Sequence, residues 1–131
     1  MKPLLFEPSD TTPKILFDPQ KFNFEISGHS RPEDVRAFYK PVITWIKGFA
    51  LAIQNGEIKP EKTIEFNFKM IYFNSSSAKF LLDVLVEINK IHTAGATTQI
   101  NWFYDEGDDD MREVGEDLSD MVDFDFTYIA K

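Results

Sequence analysis

The chain has 131 residues, enough for one domain with its own core, and 43% of them are hydrophobic. It has no cysteine, which excludes disulfides, a thiol nucleophile and cysteine-ligated metals. Its formal net charge of −8 argues against binding to the phosphate backbone of nucleic acids. Because we find no secretory signal and no run approaching the roughly 18 apolar residues of a membrane span, we expect a cytoplasmic protein without membrane insertion.

The N-terminal third of the chain predicts an arm, a hairpin and a helix. Residues 1–13 contain three prolines among polar residues, which predicts a weakly ordered N-terminal arm. Short strands are predicted at Ile15–Phe17 and Phe22–Ile26, joined by an Asp-Pro turn. The capping-box pattern Ser30–Glu33 then introduces a helix, which Pro41 is expected to kink or divide.

The clearest strand pattern in the sequence is Thr63–Phe73, where apolar and polar residues alternate. We place Tyr72 on the buried side of this strand and Ile71 and Phe73 on the other side. A helical pattern of about Ser76–His92 follows directly. Because one side of the strand is mostly polar, we expect an α/β (α+β) fold in which helices pack mainly on one face of a mixed sheet of about five strands.

The C-terminal third predicts a strand over Thr98–Tyr104, an acidic helix and a last strand over Phe124–Ile129. The apolar positions of that helix are Met111, Val114, Leu118 and Met121. The acidic run between Asp105 and Asp125 does not fit a calcium-binding EF-hand loop, which needs glycine at its sixth position. A solvated acidic face is the favoured interpretation, so we predict no metal site. A metal-dependent hydrolase that uses this segment remains an alternative.

The joint between the central strand and its helix is Asn74–Ser75–Ser76–Ser77. Free backbone N–H groups and the positive end of the helix dipole stabilise an anion at such a position. One of these side chains suffices to cap the helix, so the sequence leaves two interpretations open: a plain cap or a phosphorylatable switch. Neither His29 nor His92 lies in a pattern that indicates catalysis, and we expect no enzymatic activity.

The helix after the joint has more apolar surface than one sheet contact needs. The additional residues are Phe80, Val84 and Ile91. They either pack against the preceding helix or form a partner-binding surface beside the joint.

The sequence around the joint, Met70–Asp83, reads MIYFNSSSAKFLLD and resembles the SiaC family of bacterial regulatory phosphoproteins. Further similarity lies in Ser30–Glu33 leading to Val42–Ile46, and in Ile100–Asp105. The resemblance covers about residues 12–129. It implies a single STAS-like domain over residues 1–131, similar to the STAS-type anti-sigma-factor antagonists.

The resemblance also implies a function. In the family, the hydroxyl residue after the asparagine is phosphorylated by a serine/threonine protein kinase and dephosphorylated by a PP2C-type phosphatase. The unphosphorylated form binds and activates a diguanylate cyclase, which raises cyclic-di-GMP and promotes biofilm formation. The resemblance therefore implies a regulator without cofactors or catalysis, in which Ser75 accepts the phosphate and Asn74, Ser76 and Ser77 complete the switch loop.

Serine stands at position 75 where the family usually has threonine, and Ser76 is the second choice of acceptor. An alternative function is a STAS-like module that binds a small ligand between helix and sheet.

Overall fold

The computed structural model describes all 131 residues and contains one six-stranded sheet and three helices. The strands are β1 (Leu4–Phe6), β2 (Lys14–Asp18), β3 (Asn23–Ser30), β4 (Ile64–Phe73), β5 (Thr98–Tyr104) and β6 (Thr127–Ala130). The helices are α1 (Val35–Gln54), α2 (Ser75–Thr93) and α3 (Asp109–Val122). The predicted mixed α/β architecture is confirmed, with six strands instead of about five.

The strands lie in the sheet in chain order, from β1 to β6. β1, β2 and β3 pair antiparallel, whereas β3, β4, β5 and β6 pair parallel and are connected by the three helices. α1 packs against α2, and α2 packs against α3, so the helices share one face of the sheet. Because parallel strands point the same way, their last residues and the starts of all three helices lie at one edge, which we call the carboxyl edge.

The N-terminal arm is part of the sheet, so the predicted weak order is wrong for this segment. β1 forms the edge strand beside β2. The ring of Phe6 meets the ring of Phe38 edge-on, with centroids 5.7 Å apart. The indole N–H of Trp45 donates a 2.9 Å hydrogen bond to the carbonyl oxygen of Lys2. Apolar and backbone contacts to α1 therefore hold the arm, although its prolines and polar residues give little sign of them in the sequence.

The two faces of the sheet differ as the alternation predicts. The face under the helices carries fully buried aromatic side chains, among them Phe24, Phe66 and Trp102. The opposite face, which we call the open face, carries polar side chains. Among them, the amide nitrogen of Asn101 donates to Oδ1 of Asn67 over 2.9 Å. A parallel sheet is usually covered by helices on both faces, so the open face is an unusual surface.

A β-bulge near the end of β4 reverses the inside–outside alternation of that strand. Gly28 pairs with Met70 and His29 pairs with Tyr72, which leaves Ile71 as the extra residue. Tyr72 is consequently 48% exposed and Ile71 63% exposed. The ring of Phe73 instead contacts the buried ring of Trp102, with centroids 6.2 Å apart. The predicted placement of Tyr72 on the buried side and Phe73 on the other side is therefore wrong, because one inserted residue shifts the alternation by one.

Helix α1 also differs from its prediction. Pro41 lies inside the helix without dividing it. The N-cap is Asp34, whose carboxylate accepts a 3.1 Å hydrogen bond from the N–H of Ala37. Ser30, the predicted first residue of a capping box, ends β3 and is fully buried. The capping-box prediction is wrong because Ser30 has hydrogen-bond partners in the protein interior.

Helix α3 presents a different face to the core from the predicted one. Met121 is 69% exposed, whereas Leu118 and Val122 are buried. At Gly115 the helix approaches the sheet closely, and an added Cβ atom would lie 2.5 Å from the ring of Trp102. None of the three helices combines the length and apolar character of a membrane-spanning helix.

Candidate functional site

The start of α2 lies at the carboxyl edge and is capped by Asn74, whose backbone is extended. Oδ1 of Asn74 accepts a 2.9 Å hydrogen bond from the N–H of Ser77, and its carbonyl oxygen accepts one from Ala78. The N–H groups of Ser75 and Ser76 have no acceptor within the protein, and the first turn contains no acidic side chain. Two free donors and an uncompensated helix dipole therefore favour an anion here.

The three consecutive serines have different environments. Ser75 and Ser76 are exposed, whereas Ser77 is fully buried. A modifying enzyme can reach the hydroxyls of Ser75 and Ser76 in the folded protein, but the buried hydroxyl of Ser77 is out of its reach.

A chain of hydrogen bonds between buried hydroxyls explains the position of Ser77. Its hydroxyl donates a 2.9 Å hydrogen bond to the carbonyl oxygen of Ser30, and the Ser30 hydroxyl donates to Ser77 Oγ over 2.8 Å. The hydroxyl oxygens of Ser30 and Tyr39 lie 2.6 Å apart. Since each hydroxyl has a single proton and that of Ser30 is already used, Tyr39 is the donor to Ser30. This chain joins the end of β3, the first turns of α1 and the start of α2.

The environment of Tyr39 keeps its hydroxyl protonated. Burial raises the pKa of Tyr39 to about 12, against a smaller lowering effect from the nearby hydroxyls of Ser30 and Ser77. The ring of Phe80 stacks on the ring of Tyr39, with centroids 5.7 Å apart and planes 8° from parallel. α1 and α2 are thus packed together directly beside the serine turn.

The expected partner-binding residues lie mostly inside the protein. Val84 and Ile91 have no exposed surface, and Phe80 is half-buried against Tyr39. The prediction of a partner surface at Val84 and Ile91 is therefore wrong, since these side chains belong to the core that the three helices share. The exposed apolar residues next to the serine turn are Ile71 and Tyr72.

A cavity lies at the edge opposite the serine turn. It has a volume of about 500 Å³ and is lined by Ile53, by residues 58–63 before β4 and by residues 94–97 before β5. Parallel α/β sheets bind small ligands at the carboxyl ends of their strands, so the position of this cavity does not favour a ligand site. No group of three or more histidine, aspartate or glutamate side chains converges as metal ligands would.

Comparison with known proteins decides the family. A protein-family model described as SiaC family regulatory phosphoprotein matches residues 6–131. The chain belongs to the SiaC family.

Solved structures of the family have the same fold. SiaC of Pseudomonas aeruginosa is 25% identical, covers 100% of both chains and gives a TM-score of 0.80. The crystal structure of the diguanylate cyclase SiaD in complex with its activator SiaC, also from P. aeruginosa, contains a chain that is 25% identical over 98% of this chain and 99% of that chain. Its TM-score is 0.83. An uncharacterized protein of P. aeruginosa strain UCBPP-PA14 is 26% identical over 122 residues, 93% of this chain and 91% of its own length.

Two residues of the site in this SiaC family member were not anticipated from the sequence. Ser30 was assigned to a helix cap and Tyr39 was given no role, but both belong to the buried hydroxyl chain. Tyr39 gave a signal, since a tyrosine on a buried helix face needs a partner for its hydroxyl. The residue that would serve as that partner could not be deduced, because the contact depends on how α1 and β3 meet.

Proposed function

We propose that this chain is a non-enzymatic regulator that binds and activates a diguanylate cyclase-type effector while it is unphosphorylated. Phosphorylation of Ser75 weakens that binding. Membership of the SiaC family supports the proposal, as does the complex between P. aeruginosa SiaC and the cyclase SiaD. The observation that carries it is the exposed hydroxyl of Ser75 at a helix start with two free N–H groups.

The choice of Ser75 among the three serines has both a chemical and a family basis. Ser77 is buried and its hydroxyl already donates to Ser30, so it is a poor acceptor for a kinase. Ser76 is exposed and is the second choice. The first position after the asparagine is the one that the family resemblance indicates, and Asn74 holds the turn by capping the helix.

A phosphate at Ser75 is compatible with the fold. It adds about 1.5 to 2 negative charges and three acceptor oxygens. At a helix N-terminus such a charge stabilises by about 0.3–1 kcal/mol, and up to about 2 kcal/mol when partly buried. The free N–H groups of Ser75 and Ser76 are suitable donors to it. The modified chain should therefore remain folded.

The same phosphate acts differently at an interface. If a partner covers Ser75, the phosphate must lose its water or meet the partner's own charges. An unpaired charge buried in this way costs about 3–5 kcal/mol, or roughly a hundred- to a thousandfold in affinity. Phosphorylation therefore changes binding and leaves folding nearly unchanged.

The proposed cycle needs two further partners. A serine/threonine kinase transfers the γ-phosphoryl group of ATP to Oγ of Ser75 and releases ADP. A PP2C-type phosphatase transfers the same group to water and restores the hydroxyl. Since ATP and the GTP used by a cyclase are cytoplasmic metabolites, we place the cycle in the cytoplasm.

Binding measurements on acceptor variants test this function. Ser75→Glu should weaken binding to the cognate diguanylate cyclase at least tenfold and abolish its activation, with a melting temperature close to that of the wild type. Ser75→Ala should bind and activate like the wild type but lose phosphate labelling. Ser76→Ala is the matched control and should retain both labelling and binding.

Three results would contradict the proposal. Undiminished labelling of Ser75→Ala, or a phosphate located only on Ser76 by mass spectrometry, would refute the choice of acceptor. A wild-type chain that activates no diguanylate cyclase of its own organism would refute the function.

A further inference from the structure

We propose that the effector docks on the bulged end of β4 with a segment that carries both apolar and acidic side chains. The docking surface consists of Ile71 and Tyr72 together with the lysines on the adjoining open face. This inference rests on the proposed function and adds the interaction surface and the chemistry of the partner segment.

The apolar part of this surface is produced by the bulge. Regular alternation along β4 would place Tyr72 under the helices, but the extra residue turns it outward. As a result two consecutive large side chains, Ile71 at 63% and Tyr72 at 48%, are exposed. Bulges of this kind often re-aim side chains beside functional sites. The outward turn buries neither side chain within the folded chain.

The apolar pair lies close to the proposed phosphoacceptor. Tyr72 and Ser75 are separated by three residue steps, so their Cα atoms are at most about 11 Å apart. Tyr72 is at the end of β4 and Ser75 opens α2, and both lie at the carboxyl edge. A partner segment seated on Tyr72 and crossing this edge therefore comes within reach of Ser75.

The charged side chains beside Ile71 indicate which kind of partner segment can dock there. A shallow cavity of about 410 Å³ on the open face is lined by Ile71, Lys14, Lys69 and Lys131, with Glu25 as its one acid. Glu25 lies 3.5 Å from Lys14 and 3.2 Å from Lys69, so one carboxylate serves two ammonium groups. Lys14 and Lys69 against the single carboxylate of Glu25 give this area a positive excess, on a chain whose net charge is −8. Such a local positive area is complementary to an acidic segment.

An acidic partner segment also explains the effect of the phosphate. The phosphate at Ser75 adds about 1.5 to 2 negative charges, which repel any carboxylate of the docked segment that lies within the screening distance of about 8 Å at physiological salt. The same modification would strengthen the docking of a basic segment. The direction of the proposed switch therefore agrees with an acidic effector segment and disagrees with a basic one.

The test compares surface variants in binding to the cognate diguanylate cyclase, with the full unphosphorylated chain. Tyr72→Ser and Ile71→Ser should each raise the dissociation constant at least tenfold. Leu51→Ser on α1 is the matched control, because Leu51 is 55% exposed and lies outside the surface, and it should bind as the wild type does. Melting temperatures confirm that all variants are folded.

A second pair of variants tests the charge. Lys14→Gln should weaken binding severalfold and reduce its salt dependence, whereas Lys47→Gln, an exposed lysine on α1, should change neither. Wild-type affinity should fall as the NaCl concentration is raised from 50 to 300 mM. Affinity that is independent of salt, or that Lys14→Gln leaves unchanged, would refute the acidic partner segment.

The outcomes distinguish a failure of the proposed docking surface from a failure of the proposed function. If the wild type binds the cyclase and Tyr72→Ser and Ile71→Ser bind equally well, the docking surface is refuted and the function stands. If the wild type binds and activates no cyclase, both are refuted. If Tyr72→Ser instead abolishes self-association of the wild type and leaves cyclase binding unchanged, the surface belongs to a second copy of the chain and the proposal is refuted.

Discussion

The hydroxyl of Ser77 lies 2.9 Å from the carbonyl oxygen of Ser30, a residue 47 positions earlier in the chain. The same carbonyl oxygen accepts the N–H of Asn74 over 3.2 Å. One backbone group of β3 therefore fixes both the cap and the third residue of the serine turn. These bonds hold the buried side of the turn, so the two exposed serines, Ser75 and Ser76, have a defined position.

We predict that Ser77→Ala destabilises the protein by about 1–3 kcal/mol, because the buried Ser30 hydroxyl loses its acceptor. Urea denaturation measures the free energy of unfolding. Ser76→Ala removes the same atom from an exposed position and should change that free energy by less than about 0.5 kcal/mol. Equal effects of the two variants would show that the buried hydroxyl chain adds no stability.

The cap gives a second prediction. Asn74→Ala should lower the free energy of unfolding by about 0.5–2 kcal/mol, because the N–H of Ser77 loses the Oδ1 acceptor at 2.9 Å. Asn74→Asp keeps an acceptor oxygen and places a negative charge at the positive end of the helix dipole. It should retain most of the wild-type stability in the same urea experiment. An aspartate variant as unstable as the alanine variant would contradict the capping role.

The third prediction concerns alkaline pH. The pKa of Tyr39 is about 12 in the folded chain because the side chain is buried, and about 10 when the chain is unfolded. The folded state therefore holds its proton more tightly, and this contribution to stability is complete below pH 10 and lost as the pH rises toward 12. The stability difference between wild type and Tyr39→Phe should consequently change between pH 10 and 12 in favour of the phenylalanine variant. A difference that stays constant over that range would contradict the shifted pKa.

The fourth prediction concerns the contact between α3 and the sheet. Gly115→Ala should destabilise by about 1–3 kcal/mol, because its Cβ would overlap the ring of Trp102 and force α3 outward. Gly48→Ala is the control on α1, where the nearest atom to the new Cβ is the flexible end of Met1 at 3.6 Å. Alanine favours the helix there by up to about 1 kcal/mol, so this variant should be neutral or more stable. Thermal melts of the two variants should shift in opposite directions or differ by several degrees.

Much of this fold could be predicted because each central element carries a complete periodic pattern. The alternation in β4 and the helical pattern that follows it gave the strand, the helix and the joint to within a residue or two. The one-sided sheet followed from the polar residues of β4, such as Glu65 and Lys69. These predictions succeeded because local backbone preference and burial favour the same conformation.

The errors occur where a distant contact overrides the local pattern. Ser30 has the sequence context of a cap, but Ser77 and Tyr39 hold it in the interior. β1 is only three residues long and has prolines on either side, but β2 supplies its hydrogen bonds and α1 its apolar contacts. The burial of Val84 and Ile91 depends on how three helices share one sheet face. Ser77 lies 47 positions after Ser30, and Phe38 lies on a helix that the local sequence of β1 does not indicate, so these contacts leave no signature in the local pattern.

The inserted residue at Ile71 divides β4 into two parts that are open to different evolutionary change. Substitutions before it must conserve volume inside the molecule, whereas the two exposed positions after Met70 are limited only by whatever they meet outside. Sequences with the same interior can therefore differ at this tip without any loss of packing.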